Sequence, residues 1–266
     1  MCGRALSESG SLVTPQGYLD YLRAQGVPPA ALEVAPLVLA GWGSLGGGFV
    51  RASRACRRRR WPYDAEWPYY DARGFGVTRL PTGAPAAAFL LDQLVACGAS
   101  SLLGAGVAGS LAPDLRPGTV LVVEEALAGD GTSPHYRPAA AEEALPGSPN
   151  LVGHLATALA AGGAEVEVGR AWSTDAPFGE TPALLGRARA RGALAVDMET
   201  AAVYAMAARR GVAACSVLVI TDGVWERWEP AFGTPAVRRA LEVVAAALPE
   251  AAAALATAGL AGGRSP

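Results

Sequence analysis

The sequence predicts an α/β protein built as a three-layer α/β/α sandwich, and three observations predict it. Short apolar runs alternate with Ala-rich amphipathic stretches along most of the 266 residues. Gly and Pro punctuate the junctions, as at Gly98, Pro117-Gly118 and Gly211. Apolar residues make up 51% of the chain, enough at this length to bury one large core, so a single main domain is expected. That domain is read as residues 36–257, preceded by an extension over 1–35 that carries one short helix and followed by a flexible tail over 258–266.

Taken in order, Thr14 caps a helix that runs to Arg23 with Pro15 in its first turn, and Val27-Pro28-Pro29 stops it. A strand over Pro36 to Ala40 leads into Gly41-Trp42-Gly43-Ser44-Leu45-Gly46-Gly47-Gly48, read as a loop whose backbone can approach a ligand closely. Arg51 to Arg60 follows as a basic run, read first as a solvated face and second as a phosphate-capturing cluster. Trp61 to Tyr70, aromatic and proline-bearing, reads as a surface excursion or an oligomer contact rather than a core element. From residue 74 the pattern is regular. It gives a strand at Phe75 to Leu80, a helix at Pro85 to Cys97, a strand near Ser101 entering a glycine turn at Gly104 to Gly109, and a strand at Thr119 to Val123. A polar loop from Gly129 to Pro138 comes next, then a helix over 150–161, a strand over 165–172 and a helix over 182–191. The apolar run Ala193 to Met198, a helix from Glu199 to Gly211, the run Ala213 to Ile220 and a final helix from Pro235 to Leu248 complete the chain.

Composition excludes several function classes. The net charge of −2 points to neither nucleic acid nor an anionic membrane as a partner. All 22 basic side chains are arginine, which removes Schiff-base lysines, a pyridoxal-phosphate anchor and a lysine-bearing phosphate loop. With only His135 and His154, no histidine-rich metal centre is expected, and neither metal nor organic cofactor is assigned. Cys2, Cys56, Cys97 and Cys215 show no Cys-x-x-Cys pairing and no secretory leader precedes them, so reduced thiols and a cytoplasmic location are expected. No apolar run is read as a membrane span, because Pro249 and Glu250 interrupt the Ala-rich stretch from Val243 to Leu260.

Chemistry concentrates at residues 192–222. Glu199 ends an apolar run and opens a helix, so it is expected at a strand's end, where ligands of open α/β sheets gather. Asp222, after Thr221, ends the next run at what is expected to be the same sheet edge. The plain alternative is that Glu199 complements a helix dipole and Asp222 caps the next segment.

Val-Asp-Met-Glu-Thr-Ala-Ala at 196–202, followed after a helix and a strand by Thr221-Asp222, resembles the nucleoside phosphorylase superfamily, which includes purine nucleoside phosphorylases, uridine phosphorylases and nucleosidases. Three further segments share the likeness in order: Gly106 to Leu115 with Pro117-Gly118-Thr119-Val120, Asp130 to Ser133, and Ser173 to Thr181. The resemblance implies a mixed, partly barrel-like central sheet, a nucleoside substrate, inorganic phosphate as co-substrate, and a homo-oligomer (dimer, trimer or hexamer). Trp61 to Tyr70 and Trp225-Glu226-Arg227-Trp228 are then candidates for the subunit interface.

Residue by residue, the resemblance implies that Glu199 accepts hydrogen bonds from ribose hydroxyls while Met198 packs on the sugar. It makes Asp222 the acid that protonates a departing purine, and the phosphorolysis products free base and pentose 1-phosphate. Phe178 is the candidate to stack on the base, with Asp175, Ala108 and Gly109 along the base; Asp175 and Glu180 read equally as base-edge contacts or caps of their own loop. His135 and Tyr136 are candidates for the 5′ end of the nucleoside, and Gly41, Gly43, Gly106 and Val107 for the phosphate or water site.

That last site departs from the family pattern. Leu45 and Gly104 stand where arginines are expected, and Val107 replaces a hydroxyl residue. Three readings stay open: backbone N–H groups and an arginine from Arg51 to Arg60 hold phosphate; water replaces phosphate, making a nucleosidase; or a non-catalytic homologue binds nucleosides without turnover.

Overall fold

The computed structural model describes residues 11–259. In chain order its elements are α1 (Pro15–Ala24), β1 (Leu37–Trp42), α2 (Ser44–Ser53), β2 (Cys56–Arg57), β3 (Tyr69–Asp71), β4 (Gly76–Leu80), α3 (Ala84–Ala96), β5 (Ser101–Ser110) and β6 (Val120–Gly129). Then come α4 (Ser133–Tyr136), β7 (Ala144–Pro146), α5 (Pro149–Ala161), β8 (Val166–Thr174), α6 (Pro182–Ala190), β9 (Ala193–Asp197), α7 (Thr200–Arg210), β10 (Ala213–Gly223), β11 (Glu229–Pro230) and α8 (Pro235–Thr257).

Alternation along the strands sorts the apolar residues into two cores, one on each face of the sheet. Leu37 and Leu39 of β1 join Val217 and Val219 of β10 beneath α2, α5 and α8, where Phe49, Leu155 and Val244 are buried. Val38 and Ala40 face the other way with Leu218, packing under α3 and α7 against Leu90, Leu94 and Met206. This is the expected three-layer arrangement. The sheet also closes on itself in part: β5 pairs with β10, β10 with β6, β6 with β8, β8 with β9, and β9 back with β5. The strands β1, β4, β3 and β2 extend it from the outer side of β5. A mixed, partly barrel-like sheet is therefore present.

Several local expectations are corrected. The Gly41 to Gly48 segment is not a loop, because α2 starts at Ser44 immediately after Gly43 turns the chain at φ 56°. Its glycines serve packing. A Cβ on Gly46 would stand 2.9 Å from the Gly41 carbonyl oxygen, and one on Gly48 would stand 2.9 Å from Ala245 of α8. Likewise Gly104 to Gly109 is not a turn but the second half of β5.

The Trp61 to Tyr70 segment is not a surface excursion throughout: Trp61 and Tyr69 are buried, and Tyr63 stacks on Tyr18 of α1 with ring centres 6.4 Å apart. In the basic run, Arg57 pairs with Asp64 at 2.7 Å and Arg58 with Asp71, while Arg51, Arg54, Arg59 and Arg60 are exposed.

The helix α8 passes through Pro249 rather than ending before it. Proline inside a helix costs about 3 kcal/mol, and burial of Val237, Val244, Leu248, Ala252 and Leu255 offsets it. By length and composition alone α8 is apolar enough to cross a membrane, unlike the sequence reading; here that apolar stripe is packed against α2 and α5. Cys56, Cys97 and Cys215 are free thiols among the described residues, and Cys2 lies outside them, as do 260–266 of the tail.

Candidate active site

A cavity of about 830 Å³ opens where β1, β5, β9 and β10 end, walled by the segments after β8 and β10. Glu199 reaches it because of how the strand hands over to the helix. Asp197 ends β9 and caps α7: its Oδ2 accepts from the Thr200 N–H at 2.9 Å, and it also accepts from the hydroxyls of Ser173 and Thr200. Asp197 thus takes the capping task, and the Glu199 side chain makes no capping bond although it occupies the N-cap position. The Glu199 Oε1 instead accepts the Gly83 N–H at 2.6 Å. Gly83 can aim that N–H because it adopts φ 99° at the start of α3.

Both acids at this junction are costly to ionise. Burial, and then the charge of Asp197, push the Glu199 carboxyl up to about 8, while Gly83 and Met198 backbone bonds oppose the shift. Asp197 is raised too, by burial first, against the hydrogen bonds from Ser173 and Thr200.

Asp222 arrives from β10. Thr221 is a bulge residue between Ile220 and Asp222 in the pairing with β5, and the break in alternation turns Asp222 to the cavity. Its Oδ1 accepts from the Thr221 hydroxyl at 2.9 Å and its Oδ2 from the Trp228 indole N–H at 3.0 Å. Gly109 pairs with both Asp222 and Val196, and a Cβ there would meet Val224, Val196 and Asp222 at 3.2 to 3.4 Å. Glycine at 109 therefore lets the two acid-bearing strand ends approach one another.

Of the residues singled out in the sequence, Met198, Glu199, Asp222, Phe178, Ala108, Gly109, Gly106 and Val107 line this one cavity. Phe178 stands at its mouth fully exposed, so it does not plug the core. Asp175, His135, Tyr136, Gly41 and Gly43 are not brought to it. Asp175 accepts the Gly131 N–H at 2.7 Å, Tyr136 donates its hydroxyl to Asp92 at 3.2 Å, and His135 is exposed on α4. Gly41 and Gly43 frame the start of α2.

Trp225 and Trp228, candidates for a subunit interface, line the cavity, as do Thr82, Glu180 and Trp42. The Trp42 indole lies across β5: Cβ atoms on Gly104 and Gly106 would stand 3.2 and 3.0 Å from its ring, and its Nε1 donates to the Pro81 carbonyl at 3.0 Å. Sequence reasoning missed Asp197, Thr82 and Gly83. Asp197 was readable as an Asp three residues before a helical Thr, and Thr82-Gly83 as the entry to a helix with proline in its first turn.

A cleft at strand ends of an α/β sheet, lined by carboxylates and apolar walls, defines a small-molecule site of the kind α/β enzymes carry. Residues 72–257 match the model of the phosphorylase superfamily, and the chain belongs to that family. Among its relatives, a guanosine phosphorylase from Halorubrum lacusprofundi is 29% identical over 154 residues, covering 58% of this chain and 63% of that protein. The chain thus spans less than two thirds of that relative's length. A DeoD-type purine nucleoside phosphorylase from Caldanaerobacter subterraneus subsp. tengcongensis is 27% identical over 157 residues, covering 59% and 67%. The fold is similar to that of a purine nucleoside phosphorylase from Toxoplasma gondii solved with immucillin-H, with a TM-score of 0.74 at 21% identity over 86% of this chain and 94% of that one.

Proposed function

We propose that this protein cleaves the N-glycosidic bond of a purine nucleoside, transferring the pentosyl group to inorganic phosphate and releasing the free base. The observation that carries the reading is the meeting of Glu199, Met198 and Asp222 in one cavity, on the strand ends β9 and β10. As the bond breaks, positive charge grows on the sugar and negative charge on the base. In its ionised form Glu199 accepts hydrogen bonds from the ribose hydroxyls, each worth about 1.5–3 kcal/mol, and so favours the first change. Met198 packs on the sugar. Asp222 lies on the base side, Phe178 covers the base at the mouth, and Ala108 and Gly109 run beneath it. Gly106 and Val107 border the place of the incoming nucleophile. The printed names of the two relatives support a purine and phosphate. A homo-oligomer belongs to the same reading, with the exposed Phe89 and Tyr21 as surfaces available to it.

One observation favours a second reading, hydrolysis. The acidic side chains lining the cavity are Glu180, Asp197, Glu199, Asp222 and Glu226, against Arg227 as the basic one, and Arg227 is bonded to Glu229 at 2.7 Å. An acidic cleft with an indole over Gly104 and Gly106 repels a phosphate dianion and admits water. The test is base release from purine nucleosides with and without phosphate, with the sugar product identified. Phosphate-dependent release with pentose 1-phosphate supports phosphorolysis. Phosphate-independent release with free pentose replaces it with hydrolysis, and binding without release removes both.

A further inference from the structure

The segment between β4 and α3, Pro81 to Gly83, is gripped by a side chain at each end, and both of those side chains line the cavity. At one end the Trp42 indole N–H donates to the Pro81 carbonyl at 3.0 Å. At the other, the Gly83 N–H donates to Glu199 Oε1 at 2.6 Å. The segment has little of its own to fix it, since Pro81 has no N–H to pair and Gly83, at φ 99°, has no Cβ to pack. Trp42 supplies the fixing from outside. It ends β1, is 8% exposed, and lays its six-membered ring on Gly104 and Gly106 of β5, where a Cβ would stand 3.2 and 3.0 Å from it. An indole seated that closely cannot tilt without lifting off β5, so its N–H stays aimed at Pro81. Glu199 in turn makes no capping bond, and its carboxyl is oriented by the Met198 backbone beside it and by Gly83 from 116 residues away.

We propose that Trp42 is a positioning residue for Glu199: its indole N–H, acting through Pro81 and Gly83, holds the carboxyl in the orientation that receives the ribose hydroxyls. The inference rests on the cleavage reading above, in which Glu199 serves the sugar. Trp42 fixes the donor, and the donor fixes the carboxyl. The other charged groups around Glu199 are Asp197 at the end of β9, Asp222 from β10, Glu180 ahead of α6, and Glu226 and Arg227 from the segment after β10, while the first turn of α3 carries no acidic residue. A change at Trp42 removes none of these charges, so a move in the Glu199 titration reports the Gly83 bond.

The test uses Trp42→Phe, which keeps a ring over the two glycines and removes the N–H. Carbon-13 NMR of protein labelled at its glutamate carboxyls reads the Glu199 titration without turnover, the signal being identified by its absence from Glu199→Gln. The Gly83 bond holds the Glu199 value down, so loosening it is expected to move the midpoint up by about 0.5 pH or more. The acid limb of the kcat profile moves up with it. Loss of a fixed orientation at this carboxyl is expected to lower kcat roughly tenfold to a hundredfold, with KM changing less. Gly83→Ala disturbs the same N–H from its other end, because φ 99° is strained for alanine although its Cβ would meet no atom within 4 Å. It should give the same upward move, and the two changes combined should give less than their sum. A lower unfolding midpoint with kcat and the Glu199 titration unchanged marks Trp42 as packing alone and overturns the inference. Lost activity with an unmoved Glu199 midpoint overturns it too. A folded wild type that releases no base from purine nucleosides overturns the cleavage reading and this inference with it.

Discussion

Replacing Glu199 by Gln is expected to make the protein more stable while stopping its reaction. The carboxyl is 7% exposed, bonded to one backbone N–H, and placed beside Asp197. Its folded-state value of about 8 lies above the ordinary 4.5, so the folded protein disfavours the charged form. The sign follows directly. The stability this group allows is fully present below the unfolded value, and it is lost as pH rises through the folded one. Each pH unit in that window costs about 1.4 kcal/mol, which at pH 7 amounts to on the order of 3 kcal/mol. Glutamine never ionises, and its carbonyl oxygen can still accept the Gly83 N–H. Glu199→Gln should therefore match wild type near pH 5 and exceed it at pH 8, a gap of roughly 5–10 °C in unfolding midpoint for a domain of this size. Urea and thermal unfolding at both pH values, alongside base release, measure it. A gap that does not widen with pH refutes the argument that burial beside Asp197 holds a proton on Glu199.

Tyr204→Phe is expected to destabilise by about 2–4 kcal/mol, because the buried hydroxyl donates to the Val123 carbonyl at 2.6 Å and accepts the Ser216 N–H at 2.9 Å, and both backbone groups would lose their partner. Urea unfolding reads it, and a loss under about 1 kcal/mol would show that other partners replace the hydroxyl. Trp228→Phe removes the indole N–H from Asp222 at a residue 63% exposed, so kcat/KM should fall about tenfold or more with little change in unfolding midpoint. An unchanged kcat/KM would show that Asp222 needs no fixing from that loop.

Legibility in the sequence followed locality. Glu199 was readable because a strand, a capping Asp197 and a helix closed by Gly211 at φ 66° follow one another within twenty residues. The helix α2 was not: glycine disfavours helix by about 1 kcal/mol per residue, and only the fit of Gly46 against Gly41 and of Gly48 against Ala245 shows why helix wins. Distance hid much of the site as well. The donor to Glu199, Gly83, is 116 residues away in the chain, and the likeness of 173–181 to a family loop did not say that Glu180 would stand beside Asp222. The reach of the local signal also bounds the functional question. In the cleavage reading Glu199 serves the sugar and Asp222 the base, and both sit on motifs that can be read in place. What attacks the sugar depends instead on Trp42, which the sequence placed in a loop and the fold lays across Gly104 and Gly106. With Gly at both positions and Leu45 buried, that wall presents a ring where arginine side chains would have presented charge. Phosphate, if it is used, must be held there by backbone N–H groups in a cleft whose acidic side chains outnumber its one arginine. Water faces no such opposition, which is why the product formed without phosphate discriminates between the two readings more sharply than any substitution of Glu199 or Asp222.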